Sequence, residues 1–302
     1  MNDAERITRA LGGDWRGHQG LAPCPLCQPE GRPDQRALSV SEQGGRLLFY
    51  CHKSGCDVWS AMRGEAPSWM RGVDLKLGLS SVDREERDRR RAEERKAEER
   101  RTEAATSIFE EAVCASGTLV QTYLAHRGIG RLRLDHMTRA LRFHPALRHL
   151  PSGGVFPGMV ARIREVGGFP TAIHRTYLRP DGLGKADVSP AKMMLGPSAG
   201  GAVRFGPNRP VIALAEGIET ALSVSMASGL TCWATLSSSG LKGVLLPPRP
   251  IAEVVVICAD NDSAGLSAAG VAAERFEREG RRVSIVHPDR PGADFNDELV
   301  GT

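Results

Sequence analysis

The chain has 302 residues, 41% of them hydrophobic and 25% charged, which is too long for one small module and too apolar for wholesale disorder. Two domains, or one large domain with an appendage, are expected. No window approaches eighteen uninterrupted apolar residues, and the opening MNDAERITRALGGDWRG is charged where a secretory signal carries its apolar stretch; no membrane span is expected, and the chain is placed in the cytoplasm.

The net charge of +4 is unevenly spread. Residues 115–210 carry 14 basic and 4 acidic side chains, whereas residues 211–302 carry 7 and 12. A basic half beside an acidic one suggests a polyanion held by the first and cations coordinated by the second; the plainer reading is two solvated faces of opposite sign.

Residues 1–66 are short, turn-rich and Cys-bearing. Two strand-like runs, Ala37 to Ser41 and Arg46 to Cys51, flank a Gln43-Gly44-Gly45 turn, and Cys24-x2-Cys27 is followed after 23 residues by Cys51-x4-Cys56. Two cysteine pairs on tight turns can bring four thiolates tetrahedrally onto one structural zinc, supplying folding energy that so short a segment lacks. His52 is an alternative fourth ligand; Gly55, supplying the turn, favours Cys56. Phe49 and Tyr50 are candidates for stacking bases, one of the two turning inward as core. Cys114, Cys232 and Cys258 are scattered singly and read as small core residues.

Residues 67–103 form a linker. Its DREERDRRRAEERKAEERRTE stretch has eighteen charges in 21 residues, balanced in sign and spaced three or four apart, which predicts a solvated helix rather than a nucleic-acid arm. Residues 104–210 mix short strands with Gly and Pro turns, an α+β pattern. Arg162, Arg164, His174, Arg175, Lys185 and Lys192 lie among these strands, where they can hold template and nucleotide phosphates or be ordinary surface charge.

From residue 211 to 302 apolar runs alternate with helical stretches: VIALAE, a helix from Glu219 to Ser228, TCWATL, a Ser/Gly turn, EVVVICAD, a helix from Ser263 to Glu279, and RVSIVHP. The pattern predicts a mainly parallel four-stranded sheet with helices on both faces, hence an α/β fold with its chemistry at the carboxyl ends of the strands. Glu216 ends the first run, Asp260 and Asp262 end the third, and Asp294 and Asp297 lie in GADFNDEL after the last. Carboxylates converging on one rim are hard oxygen ligands suited to magnesium. An acid at a strand end can equally cap the next helix, and Glu219, Ser263 and Asp297 are candidates for that role.

Glu216-Gly217, followed 44 residues after the glutamate by Asp260-Asn261-Asp262, resembles the Toprim domain shared by DnaG-type primases, topoisomerases, OLD-type nucleases and recombination proteins. With an N-terminal zinc ribbon, and with AEGIETALS, CADND-x2-G, GADFND, HRTYLRPDGLGKA and KMMLGPSAGGAVRF, the chain resembles the Toprim primases of phages, plasmids and integrated elements over all but the charged spacer. The resemblance implies nucleotidyl transfer, with Glu216 as acid/base or metal-organising residue, Asp260 and Asp262 as magnesium ligands, and Asp294 helping a second ion. Relatives often carry a helicase module. No G-x4-G-K-[ST] occurs here, so a separate helicase is the expected partner.

The leading expectation is therefore primer synthesis on single-stranded DNA from nucleoside triphosphates, with one structural zinc and two catalytic magnesium ions. Arg162, His174, Arg175, Lys185 and Lys192 are the expected nucleic-acid and nucleotide contacts. The alternatives are a Toprim nuclease using the same metals, and a non-catalytic single-stranded-DNA-binding adaptor.

Overall fold

The computed structural model describes residues 2–32, 34–43, 46–58 and 81–301. The central glycines of the Gln43-Gly44-Gly45 turn, the end of the proposed zinc module and the first part of the linker lie outside the described residues. The chain divides into two compact units, residues 1–90 and 91–302.

In the first unit, helix α1 (Asp3–Ala10) precedes an antiparallel sheet of β1 (Asp14–Trp15), β2 (Gln19–Ala22), β3 (Leu38–Gln43) and β4 (Arg46–Cys51), in that spatial order. Asn2 caps α1 by accepting from the Glu5 amide, and Ala4 and Ile7 pack against Leu38 and Val40. The register Val40 to Phe49 and Ser39 to Tyr50 sends alternate side chains to opposite faces. Phe49 accordingly packs against the core, while Tyr50 is 62% exposed. The anticipated hairpin is thus half of a larger sheet; β1 and β2 are too short to show a period of two.

Helix α2 (Ser81–Glu111) runs 31 residues. Its charged stretch is solvated from Asp88 to Glu103 apart from three half-buried positions; beyond it Ala105, Phe109 and Ala112 are buried with Val160, Ile173 and Tyr177. No helix among the described residues is long and apolar enough to cross a membrane.

The second unit is built on one ten-stranded sheet. Its spine runs β14 (Arg282–Val286), β13 (Val254–Cys258), β11 (Val211–Ala215), β12 (Cys232–Ala234), β10 (Ala202–Phe205), β7 (Val155–Arg164), β6 (Leu141–Arg148) and β5 (Val113–Cys114). Strand β8 (Pro170–Tyr177) pairs with β7, and β9 (Lys192–Leu195) with β8. The four strands from β11 to β14 are mutually parallel, as anticipated; β10 joins them antiparallel to the remaining strands.

Alternation along β11 builds two cores. Ala213 and Ala215 pack with α4 (Ile218–Ser228) and α3 (Leu119–His126). Ile212 and Leu214 pack with Leu241 of α5 (Ser238–Gly243) and with Ala268, Ala272 and Phe276 of α6 (Ser263–Arg278). Helices therefore cover both faces, because a sheet apolar on both sides must bury both. The expected Ser/Gly turn after TCWATL forms α5, capped by Ser237 accepting from the Gly240 amide. A short α7 (Phe295–Val300) ends the fold. Cys232 and Cys258 are core residues, while Cys114 is only half-buried.

Candidate functional site

Parallel pairing puts the carboxyl ends of β11 and β13 side by side, with Ala215 opposite Cys258. Glu216 follows β11 directly, and Asp260 follows β13 after Ala259. One carboxylate oxygen of each, Glu216 Oε1 and Asp260 Oδ1, is buried without a hydrogen-bond partner. Burial, then the charges of Glu216, Asp294, Asp262 and Asp297, pushes the Asp260 carboxyl up to about 6. Burial likewise raises Glu216, opposed by a hydrogen bond from Ser238 Oγ to Oε2 at 2.9 Å. That serine is placed by Leu236, a non-glycine residue with φ 73° whose amide donates to the Glu216 carbonyl at 2.7 Å; strain of this kind is held only where surrounding contacts fix it.

The remaining acids are partly occupied as helix caps. Asp262 Oδ1 accepts from the Gly265 amide at 2.7 Å, capping α6. Gly265 is required there, because a Cβ would lie 2.5 Å from the Asp260 carbonyl oxygen. Asp294 accepts from the amides of Asn296 and Asp297 at the start of α7 and from Thr220 Oγ1 at 3.2 Å. Asp297 completes a capping box with it.

The basic residues divide between the two faces of the sheet. Lys192 pairs with Thr176 and Met194 with His174, so Lys192 and His174 share the face covered by α4. There Glu219, whose side chain is 6% exposed, lies 3.4 Å from Lys192 Nζ and 4.0 Å from Lys185 Nζ and accepts from Tyr123 Oη at 2.6 Å. Burial would raise the Glu219 carboxyl, but the two lysines and the tyrosine outweigh it and hold it at about 2. His174 is buried and, chiefly for that reason and then because of Lys192, falls to about 4, leaving it neutral; its Nδ1 has no partner.

Arg175, one residue on, faces the opposite way, within 6.0 Å of the Tyr177 ring and donating to the Met194 carbonyl at 3.4 Å. Arg162 is on that same opposite face, 3.8 Å over the Phe109 ring and paired with Glu110. The expected nucleic-acid and nucleotide contacts thus divide into a His174, Lys185 and Lys192 group gathered at Glu219 and two arginines, Arg162 and Arg175, packed on the opposite face of the sheet. Glu219 does not cap α4: Gly217 occupies that position.

Replacing Tyr123 by Phe should remove the hydrogen bond to Glu219 and cost about 1.5–3 kcal/mol, the range for a bond to a charged acceptor, measurable by denaturant unfolding. The folded-state values of Glu219 and His174 both lie below their ordinary ones. Their contribution is therefore present at neutral pH and lost on acidification, for His174 as pH falls below about 6.5 towards 4 and for Glu219 below about 4.5.

In the N-terminal unit, the ligand atoms of Cys24, Cys27, Cys51 and Cys56 all lie within 4.8 Å of one another, and Cys27 Sγ and Cys51 Sγ are 3.5 Å apart. Four thiolates at about 2.3 Å from a tetrahedral ion would be about 3.8 Å apart, so the set fits one zinc. Burial works against ionising Cys51, yet the backbone amides of Cys56, Ser54 and Lys53 overcome it and lower the thiol to about 6. Gly55, at φ 58°, makes the turn into Cys56. His52 instead pairs with Ser39 Oγ at 3.2 Å and stands edge-on to Tyr50.

Residues 211–302 match the family model of the Toprim domain. Residues 99–205 match a family model described as a domain of unknown function, DUF7146. Among curated proteins no match was found. Among solved structures the chain is similar to a DNA primase domain from Pseudomonas aeruginosa, at 17% identity over 67% of this chain and 74% of that one, TM-score 0.44. It is also similar to the zinc-binding and RNA polymerase domains of the Aquifex aeolicus primase, at 15% identity over 98% and 79%, TM-score 0.45. The primase fragment of the bacteriophage T7 primase-helicase protein is similar at 16% identity over 48% and 59%, TM-score 0.36.

The magnesium implied by the Toprim resemblance suits this rim. Asp260 Oδ1 is a buried oxygen with no donor, which a hard cation would satisfy, and Glu216 Oε1, likewise without a donor, stands at the neighbouring strand end. Among the described residues the four cysteines are the one group of three or more whose ligand atoms lie close enough together to hold an ion. Three residues of the rim and of the Glu219 group take roles that the sequence pattern does not give them. Glu219 reads from its place at a helix start as a cap, although its position within the apolar run IETALSVS signals a buried, paired carboxylate. Ser238 and Tyr123 carried no such signal.

Proposed function

We propose that the chain is a DNA primase-like nucleotidyltransferase that makes short primers on single-stranded DNA by Toprim chemistry, in the replication of a phage, plasmid or integrated element and alongside a separate helicase. The observation that carries the reading is the pair of partnerless buried oxygens, Glu216 Oε1 and Asp260 Oδ1, at adjacent strand ends inside the Toprim match.

In this reading residues 1–66 are a zinc-ribbon DNA-binding module held by Cys24, Cys27, Cys51 and Cys56, and residues 67–103 are a helical linker. Residues 104–210 form the basic core and residues 211–302 the catalytic domain. Asp260 and Asp262 would hold magnesium, and Asp294 would assist a second ion. Magnesium there would offset charge on the phosphates and lower the pKa of the 3′ hydroxyl. Ser238 holds Glu216 Oε2 and leaves Oε1 to accept the hydroxyl proton. The deprotonated 3′ oxygen then bonds to the α-phosphorus as the bond from that phosphorus to the β-phosphate bridging oxygen breaks and pyrophosphate leaves. Lys185, Lys192 and His174 hold the incoming triphosphate, while Arg162 and Arg175 support the strand that carries it.

Incubation of the full chain with single-stranded DNA, magnesium and labelled nucleoside triphosphates should yield products longer than one nucleotide. Shortened template without synthesis would favour a nuclease, and binding without either reaction would favour an adaptor.

A further inference from the structure

Another group of cations lies apart from the Toprim acids. Arg139, Arg164 and Arg204 line a cleft of about 420 Å³ together with apolar Met137, Phe205 and Pro207. Among the described residues none of the three arginines has a carboxylate within ion-pair distance. Glu165, beside Arg164 in sequence, turns its Oε1 to the Phe169 amide at 3.2 Å instead. Arg204 lies 4.1 Å over the Trp233 ring and donates to the Glu165 and Val166 carbonyls. Among the described residues the Arg164 side chain makes two long hydrogen bonds, 3.4 Å each, to the Gly168 and Arg139 carbonyls. Burial first, and then neighbouring arginines, lowers the guanidinium groups of Arg164 and Arg204, with the Glu165 charge opposing the shift at Arg204.

The cleft continues into a second hollow sharing Met137, Phe205 and Pro207 and adding Arg209. The chain from Phe205 to Arg209 leads into the amino end of β11. Glu216 lies beyond its carboxyl end, about 16 Å away for a five-residue strand.

We infer that this cleft is a second phosphate-binding site, distinct from the Toprim rim, in which Arg139, Arg164 and Arg204 hold phosphate groups and Met137 and Pro207 pack against an attached nucleoside. Planar guanidinium groups match phosphate oxygens in bidentate fashion, and the volume suits a nucleotide-sized ligand. The phosphates belong either to a free nucleotide or to a nucleic-acid strand. The inference does not depend on primer synthesis.

Arg139 and Arg209 are exposed, so their reversal, Arg139→Glu with Arg209→Glu, is compatible with folding. The test is made in the full chain carrying Asp260→Asn, without magnesium, using tripolyphosphate and a fluorescein-labelled oligothymidylate. Binding of at least one probe should weaken about tenfold or more on the double reversal, and that loss should persist in a chain that also carries Lys192→Ala. Loss for tripolyphosphate alone identifies a free-nucleotide site. Loss for the oligonucleotide, with the salt dependence of its affinity flattened by about one to one and a half log units per log unit of salt, identifies a strand site. If neither probe responds to the double reversal, or if both respond only to Lys192→Ala, the cleft is not a phosphate site.

Discussion

Replacing Glu216 by Gln, or Asp260 by Asn, should lower primer synthesis by ~10³-fold or more, because each removes one of the two partnerless buried oxygens at the rim and, for Glu216, the proton acceptor. Asp260→Asn carries a second consequence that a merely inactive site would not show. The Asp260 carboxyl stands near 6, above its usual range, first through burial and then through neighbouring acids. A folded-state value above the unfolded one gives a contribution present at low pH and lost as pH rises through about 6. Without added magnesium, the wild-type chain therefore carries an unfavourable charge at pH 8 that Asp260→Asn lacks.

Magnesium should raise the wild-type melting temperature by a few degrees at pH 8, much less at pH 5, and hardly at all in Asp260→Asn. Calorimetry at the two pH values, with and without magnesium, checks this. An Asp260→Asn variant that responds to magnesium as fully as wild type would remove Asp260 from the metal site.

Loss of zinc should have the larger structural effect. One zinc per chain is expected by elemental analysis, and chelation or Cys51→Ser should unfold the sheet of β1 to β4 rather than loosen it. The apparent binding free energy of a structural zinc, ~10–16 kcal/mol, exceeds the stability of an ordinary domain, and the core around Leu38, Val40 and Ile7 is small. Residues 91–302 have their own cores, so their cooperative transition should survive. Hydrogen exchange resolved along the chain distinguishes the two regions. Undiminished zinc in a Cys51→Ser, Cys56→Ser double variant would overturn the assignment.

Much of the fold was legible in local pattern. The parallel sheet followed from apolar runs alternating with helical stretches, since a strand buried on both faces has no polar positions to spare. The cysteine cluster followed from spacing and Gly55, because a turn that short leaves its two thiols few directions. Glu216 and Asp260 could be placed at one rim from sequence, because parallel strands connected through helices all end on the same edge. The α5 helix was hidden by its Ser- and Gly-rich composition; its Ser237 cap and the packing of Leu241 outweigh weak intrinsic propensity.

What tertiary structure alone decided is the partnership of the charges. Sequence placed Arg162, His174, Arg175, Lys185 and Lys192 in one basic segment, but strand alternation and the pairing of β7, β8 and β9 divide them between two faces. Glu219 meets Tyr123, 96 residues away, only because α3 and α4 pack against the same side of the sheet. Likewise the cleft of Arg139, Arg164 and Arg204 gathers residues from three separate segments. The pattern of apolar residues determines which element forms and which of its faces is buried, whereas the charge that confronts a given arginine is set by strand order and register, which bring together residues far apart in the chain.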